Sequence, residues 1–562
     1  MSAENSEAVG LPKSRVAVVA AAAAAALLAV YWTHGIPRSP SLGWDEAMNA
    51  DLPALRMLHS LKRGEVRAAF DALLGCSQYP FVFPSFLAAV QGIFGVGEAV
   101  CRAAGTVLWC ATLFGLFLLG REVSQKGSLA PWLAMAFGAL SPMALAFAGT
   151  LFLQIPFACA SVFALRAWLR RSSHPGTRSE LAAGAWIAAC IFTKFNYGLL
   201  LAFGFALDWL FETITVLRSG EVAAWARRSG ALLLIPAAAC LWWFGFDAGH
   251  EHRAQLVAYL GGNRAFGRVS YATRLLHASA WLSLTPRLFV VVIVSAAATL
   301  PLIQRPPLRA LWLVLVAMAG PILAHPFHLE RFLIPIAIPL WALAGVGLAR
   351  ILPTRPLLRP AILGVLLVLT VVYPSRAAVR TADLLGALSP DSRRRSYQAD
   401  VYARLPDLSP SRLLPTNGLE RDESERFLSI VAREAGPTER IGWIGVSSSF
   451  SPAAIHIGLL EGGGSVDRFL RDAAEPMDVA YFGEDPHWTD AELAAYAARF
   501  DIVFATEPPD LKDLPGRRWT RIYRQHLVDR LGWDGRVVGS SAISRPLQDV
   551  QVVSVYACRP KR

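Results

Sequence analysis

The sequence predicts a mainly α, polytopic transmembrane bundle followed by a C-terminal extracytoplasmic α/β domain. Three observations carry this reading: apolar composition confined to the first two thirds, runs of membrane length, and basic residues gathered in alternate loops. Of 562 residues, 54% are hydrophobic and only 17% charged, and the mean hydropathy is +0.40. Soluble chains usually carry about 25% charged residues. The deficit runs from Val16 to about Ser375; from about Arg376 to Arg562 the composition is that of an ordinary soluble protein.

A span needs about 20 apolar residues. Such runs lie near 16–33, 99–120, 128–148, 155–170, 180–193, 197–217, 230–246, 285–303, 310–325, 332–349 and 360–374, which makes about eleven spans. The first ends in Tyr31-Trp32, an interfacial aromatic pair, and no small-residue cleavage site follows it. The apolar stretch 80–96 is punctuated by Pro80, Pro84 and Gly92 and reads as a helix lying in the interface.

Positive charge sets the orientation. With the N-terminus inside, the cytoplasmic loops hold Lys13 and Arg15; Arg121 and Lys126; Arg166, Arg170, Arg171 and Arg178; Arg218, Arg227 and Arg228; Arg305 and Arg309; Arg350, Arg355 and Arg359. The outside loop 149–154 has no basic residue. An odd number of spans places the tail outside the cytoplasm. The net charge of +12 follows from this topology. Arg supplies 48 of the 54 basic residues, which reads as base-composition bias of a bacterial genome. No Arg-rich face interleaved with aromatics points to nucleic acid. The expected location is the bacterial inner (plasma) membrane.

Five of the seven cysteines, Cys101, Cys110, Cys159, Cys190 and Cys240, lie in or beside spans and read as small hydrophobes. Cys76 and Cys558 fall outside, and sequence alone does not pair them. The expected domains are a transmembrane domain at 1–375, a linker at 376–418 and a soluble domain at 419–562. In that last domain, apolar runs at Ile441–Val446, Val479–Phe482, Ile502–Ala505 and Val552–Ala557 alternate with helical stretches at 452–460, 465–473 and 490–499. A helix is also expected from Glu420 to Ala435. This alternation predicts a parallel α/β sheet. Gly442-Trp443-Ile444-Gly445 lacks the third glycine of a dinucleotide turn.

The first outside loop, 34–80, carries Trp44-Asp45-Glu46 soon after the first span. Ionisable groups at a membrane face are costly and often functional. Such a pair can act as a base or bind a divalent cation, although no complete metal-ligand set accompanies it. The plainer reading makes Asp45 the N-cap of a helix from about Ala47 to Lys62. His325 and His328 beside Glu330, and His250-Glu251-His252, likewise lack a third ligand and read as loop residues.

The order of elements adds to this. Trp-Asp-Glu is followed by an amphipathic helix, Gln78-Tyr79-Pro80, an interfacial helix ending in Phe94-Gly95, and Glu98-Ala99-Val100-Cys101-Arg102 opening the next span. Phe192-Thr193-Lys194-Phe195 ends an outward span, and Glu330-Arg331-Phe332-Leu333-Ile334-Pro335 opens a late one. Over about 16–374 this pattern resembles the GT-C glycosyltransferases, in particular the bacterial relatives of protein O-mannosyltransferases and of the aminoarabinose transferase that modifies lipid A. Two positions depart from the family's pattern: Gln154 stands where members often have a carboxylate, and Tyr79 where they have a lysine near the interfacial proline.

The resemblance implies a sugar donor linked to polyprenyl phosphate and a cell-envelope acceptor. It makes Asp45, with Glu46, the catalytic carboxylate pair. Lys194, Arg331 and Arg102 become the donor-phosphate ligands, for which a cation at the membrane face is chemically suited. Gln154, Tyr79 and Glu330 become substrate-binding residues. Interfacial snorkelling is the plainer role of each cation. Two further readings stay open: a transporter or flippase of a lipid-linked molecule, and an inactive GT-C relative.

Overall fold

A computed structural model describes residues 47–74, 80–125, 128–141, 147–220, 222–245, 286–324, 330–352, 429–436, 439–444, 490–507, 524–525, 527–545 and 548–561. The expected spans 16–33 and 360–374, the linker, the strand 479–482 and the helices 452–460 and 465–473 lie outside these residues.

A π-helical turn, Ala47–Asp51, leads into α1 (Leu52–Lys62). Then come α2 (Val66–Leu74), α3 (Val82–Phe94), α4 (Glu98–Val123), α5 (Ala130–Leu140), α6 (Gln154–Ser173), α7 (Thr177–Thr193), α8 (Phe195–Ser219) and α9 (Val222–Gly245). After them follow α10 (Pro286–Ala297), α11 (Pro306–Ala324), α12 (Ile334–Ile351) and α13 (Asp490–Ala497). The strands are β1 (Ile441–Ile444), β2 (Ile502–Glu507), β3 (Asp534–Arg545) and β4 (Gln548–Arg559). The described residues sort into two compact units. One holds 80–82 and 103–352; the other holds 47–74, 83–102 and 429–561.

The first unit is a helical bundle. Among the described residues five helices are long and apolar enough to cross a membrane: α4, α8, α9, α11 and α12. Proline opens α5 and α12 in their first turns, and Pro236, Pro321 and Pro339 lie inside α9, α11 and α12, where transmembrane helices tolerate them. Close approach rests on glycine. A Cβ at Gly345 of α12 would lie 2.7 Å from the Ala134 backbone nitrogen of α5, and one at Gly204 of α8 would lie 2.7 Å from Val314 Cα of α11. Small residues at crossings are how helices pack when lipid removes the hydrophobic drive between them. α12 is the central helix, with Trp341 fully buried. α8 and α9 instead turn Phe203, Leu210, Phe211, Leu233, Leu234 and Leu241 outward. Apolar surface on that scale suits hydrocarbon, not water.

In the second unit the four strands form one sheet in the order β1-β2-β4-β3. β1 and β2 are parallel, while β4 runs antiparallel to both β2 and β3. The sheet is therefore mixed, which corrects the expected all-parallel arrangement. β3 ends at Arg545 and β4 starts at Gln548, too short a connection for the crossover that parallel pairing requires. The interior holds Ile430, Val431, Ile441, Phe500, Val503, Phe504, Leu527 and Val555. A Cβ at Gly442 would sit 2.7 Å from the Phe500 ring, so this glycine serves packing. Arg559 closes β4 on the turn before β1, donating to both Glu439 oxygens and to the Glu434 carbonyl.

Candidate active site

In the first unit α7 and α8 are separated by a single extended residue, Lys194, with φ −154° and ψ 96°. The Lys194 N–H still donates to Cys190 O at 3.1 Å, and Gly198 N–H donates to Lys194 O at 2.9 Å. The reversal is tight enough that a Cβ at Gly198 would come 2.7 Å from the Cys190 carbonyl carbon. Glycine at 198 is thus a condition of the turn that presents Lys194.

The Lys194 side chain is 4% exposed. Its Nζ lies 4.9 Å from the centre of the Tyr197 ring and 5.6 Å from that of Phe332. Those rings pack edge to face at 6.4 Å, and Tyr197 also meets Phe157 of α6. The starts of α6, α8 and α12 therefore share one end of the bundle. A cation enclosed by aromatic faces is held by their quadrupoles. In such low-dielectric surroundings its pull on an anion exceeds that of a solvated ammonium.

Gln154 is the first residue of α6, one turn before Phe157, and is 1% exposed. Its Nε2 has no hydrogen-bond partner. A buried amide donor without an acceptor costs about 1–3 kcal/mol, which a hydroxyl or phosphate oxygen arriving there would recover. Phe81, just after Pro80, packs on Phe192, Trp242 and Trp243, an aromatic cluster at the Lys194 end of α7.

In the second unit a group missed by sequence reasoning stands out. Asp51 is fully buried. It holds the N-cap position of α1 but makes no capping hydrogen bond. Its Oδ1 instead accepts from Gln91 Nε2 of α3 at 2.9 Å and from Cys101 Sγ of α4 at 3.3 Å. Asp51 Oδ2 and Gln91 Oε1 have no hydrogen-bond partner. Burial pushes the carboxyl up from 3.8 to about 6; the Cys101 and Gln91 bonds and Arg102 pull it down, and Glu98 adds to the rise. The only signal in the sequence was an acid within Ala50-Asp51-Leu52-Pro53-Ala54-Leu55, which reads as an ordinary cap before a Pro-initiated helix.

Arg102, expected as a phosphate ligand, is 2% exposed and donates from Nε to Glu98 Oε1 at 2.6 Å. Glu330 and Arg331 lie on a 3₁₀ turn, Glu330–Leu333, that leads into α12; their side chains lie outside the described residues. Asp45, Glu46, Tyr79, His250, His252, His325, His328 and Cys76 are also outside them. Cys558 is buried in β4. Among the described residues no three His, Cys, Asp or Glu side chains group as metal ligands.

No protein-family model matches the chain. No curated protein matches it either. Solved structures do. The crystal structure of ArnT from Cupriavidus metallidurans in the apo state aligns with a TM-score of 0.57 at 15% identity, over 96% of this chain and 98% of that one. The same enzyme bound to undecaprenyl phosphate aligns with a TM-score of 0.53 at 14% identity, over 97% and 98%. The cryo-EM structure of the arabinofuranosyltransferase AftD from Mycobacteria aligns with a TM-score of 0.53 at 16% identity, over 98% of this chain but 40% of that one. At these identities the likeness speaks for the fold alone, which this chain shares with ArnT and AftD.

Proposed function

We propose that this GT-C-fold chain is an inverting membrane glycosyltransferase that moves a sugar from a polyprenyl-phosphate donor to an extracytoplasmic acceptor. The observation that carries the reading is Lys194, a buried cation between two aromatic rings at a helix break. Its fold is shared with an enzyme solved with undecaprenyl phosphate bound. A lipid-borne sugar phosphate has to be met at the membrane face, where a cation neutralises the phosphate.

In this mechanism Asp45 takes the proton of the acceptor hydroxyl as its oxygen attacks the anomeric carbon. The bond from that carbon to the phosphate oxygen breaks, and the configuration inverts. Negative charge grows on the departing polyprenyl phosphate. Lys194, with Arg331 and Arg102, stabilises it more in the transition state than in the ground state. Glu46, Tyr79 and Glu330 line the acceptor and sugar. Gln154 supplies its amide N–H to a sugar hydroxyl; an amide donates and accepts but takes no proton, so the base duty rests on Asp45 alone. The proposal includes eleven spans, a transmembrane domain at 1–375, a linker at 376–418 and an extracytoplasmic domain at 419–562.

Asp45→Asn is the decisive experiment, with a lipid-phosphate sugar donor and a readout of transferred sugar. Asn keeps the size and caps a helix, so a purely structural Asp45 leaves transfer near normal. A general base predicts a loss of at least about a hundredfold with donor binding retained. Glu46→Gln is the control that separates the two adjacent carboxylates.

A further inference from the structure

The arginines of the bundle are not equally matched by acids. Arg171 is spent on Glu212 and Glu180, and Arg309 on Asp208. At the adjoining ends of α4 and α6 the balance fails. Glu122, in the last turn of α4, faces Arg166 and Arg170 of α6. Their Nε atoms lie 3.3 and 3.5 Å from the same oxygen, Oε1. Arg121 is a third guanidinium, close enough to act on Arg166 through its charge, and it forms no ion pair among the described residues. Three guanidinium groups thus share one carboxylate, and positive charge is left over.

The excess is accessible. The Arg170 side chain is 46% exposed and that of Arg166 25%. Arg166 donates to Glu122 through Nε alone, so the outer N–H groups of its fork are open to a second partner. A guanidinium fork grips phosphate oxygens two at a time. Back along both helices the cluster continues as half-buried apolar stripes. On α4 the stripe is Phe114 and Leu118, seven and three residues before Arg121; on α6 it is Phe163, three before Arg166 and seven before Arg170. Residues at these spacings share a helix face. The two helices meet at Gly115 and Val162, and Phe163 stacks at 5.2 Å on Trp186 of α7, an exposed ring.

A cationic cluster heading an apolar face matches one kind of molecule, a phosphate joined to acyl chains. α4 is long and apolar enough to cross a membrane, so its end comes to a bilayer face, where such molecules are at hand. We propose that the adjoining ends of α4 and α6 bind an anionic phospholipid of the bilayer. Its phosphate sits on Arg121, Arg166 and Arg170, and its acyl chains run along Phe114, Leu118 and Phe163. Glu122 holds two of the forks in place and limits the excess. A zwitterionic lipid fits less well, because its ammonium brings a cation to a site already in surplus. The inference rests on the reading that α4 and α6 span the bilayer, and not on sugar transfer.

The test is native mass spectrometry of the full chain in detergent, titrated with phosphatidylglycerol and phosphatidylethanolamine of matched acyl chains. An arginine near an anionic lipid contributes about fivefold, so phosphatidylglycerol should bind about tenfold or more tightly than phosphatidylethanolamine. Replacing Arg121 and Arg170 together by Gln should erase most of that preference. Arg227→Gln, on an exposed face of α9, controls for general surface charge and should change it little. Glu122→Gln raises the surplus and should strengthen phosphatidylglycerol binding, whereas a merely structural ion pair predicts no gain. Equal binding of the two lipids overturns the proposal. So does an equal loss in the Arg227 and double variants, or a weakening in Glu122→Gln, which decides the matter if the double variant fails to fold. Displacement of the lipid by an excess of inorganic phosphate would mean that a free anion alone is the ligand, and it too overturns the proposal. No sugar transfer is read, so the outcome stands apart from that of the Asp45 experiment.

Discussion

A carboxyl group taken wholly out of water keeps its proton to higher pH than a solvated one, even where two donated hydrogen bonds pull the other way. Asp51 is that group, raised from 3.8 to about 6 chiefly by burial. Because the folded-state value lies above the unfolded one, the folded protein binds the proton more tightly. The contribution is fully present below about pH 4 and is lost as pH rises through about 6. The difference of about two pKa units corresponds to about 3 kcal/mol. Asp51→Asn keeps a partner for Gln91 and removes the titration. The wild-type melting temperature, referred to that of Asp51→Asn, is therefore expected to fall between pH 4.5 and 7. Parallel melting curves across that range would refute it. The charged groups facing Asp51 are Glu98 and Arg102, so Glu98→Gln should lower the midpoint of the effect. Lys194 carries the other residue-scale prediction. Its Nζ sits over rings that pack on each other without it, so Lys194→Ala should weaken binding of a lipid-phosphate donor about ten- to a hundredfold, the worth of one charge-assisted bond. Equilibrium binding of undecaprenyl phosphate checks this, and unchanged affinity would exclude Lys194 as a phosphate ligand.

At the scale of elements the bundle depends on backbones brought together. Gly345 faces Ala134 of α5, while Gly230 of α9 has nothing within 4 Å of its absent Cβ. Gly345→Leu forces two helices apart, and overpacking of that kind costs about 1–3 kcal/mol or more. Gly230→Leu adds an apolar group to an exposed face. The former should lower the thermal midpoint and the yield of folded protein; the latter should change neither. Equal tolerance would mean that the two helices part without cost. The β3–β4 hairpin shows why strand pattern misled. β3 reads Gly-Arg-Val-Val-Gly-Ser-Ser-Ala from Gly535, with no apolar run, and takes its place through its register with β4. An edge strand has one neighbour and needs less hydrophobic signal than a central one.

For the whole molecule, orientation is the property to measure. We propose, from the basic residues in every loop read as cytoplasmic, that the N-terminus lies inside and 376–562 outside. A phosphatase reporter fused after Arg562 should be active in intact cells, since that enzyme matures only outside the cytoplasm. A reporter active only in the cytoplasm would invert every loop and move Lys194 to the wrong face for a lipid-linked donor.

The mainly helical class and the helices from α4 to α12 were legible in the sequence, because membrane solvent imposes length and apolarity on every span. The order of short motifs suggested a family resemblance, and solved structures share the fold over nearly the whole chain. Folding alone decided how tight the Lys194 turn is, since that follows from the space left at Gly198. It also decided the burial of Asp51 between Gln91 and Cys101, forty and fifty residues away. The same holds for the paired charges of Arg171, Glu180 and Glu212, which as sequence are scattered loop-end residues. A side chain's desolvation and its missing partner are properties of what packs around it, and in this chain those neighbours come from distant helices.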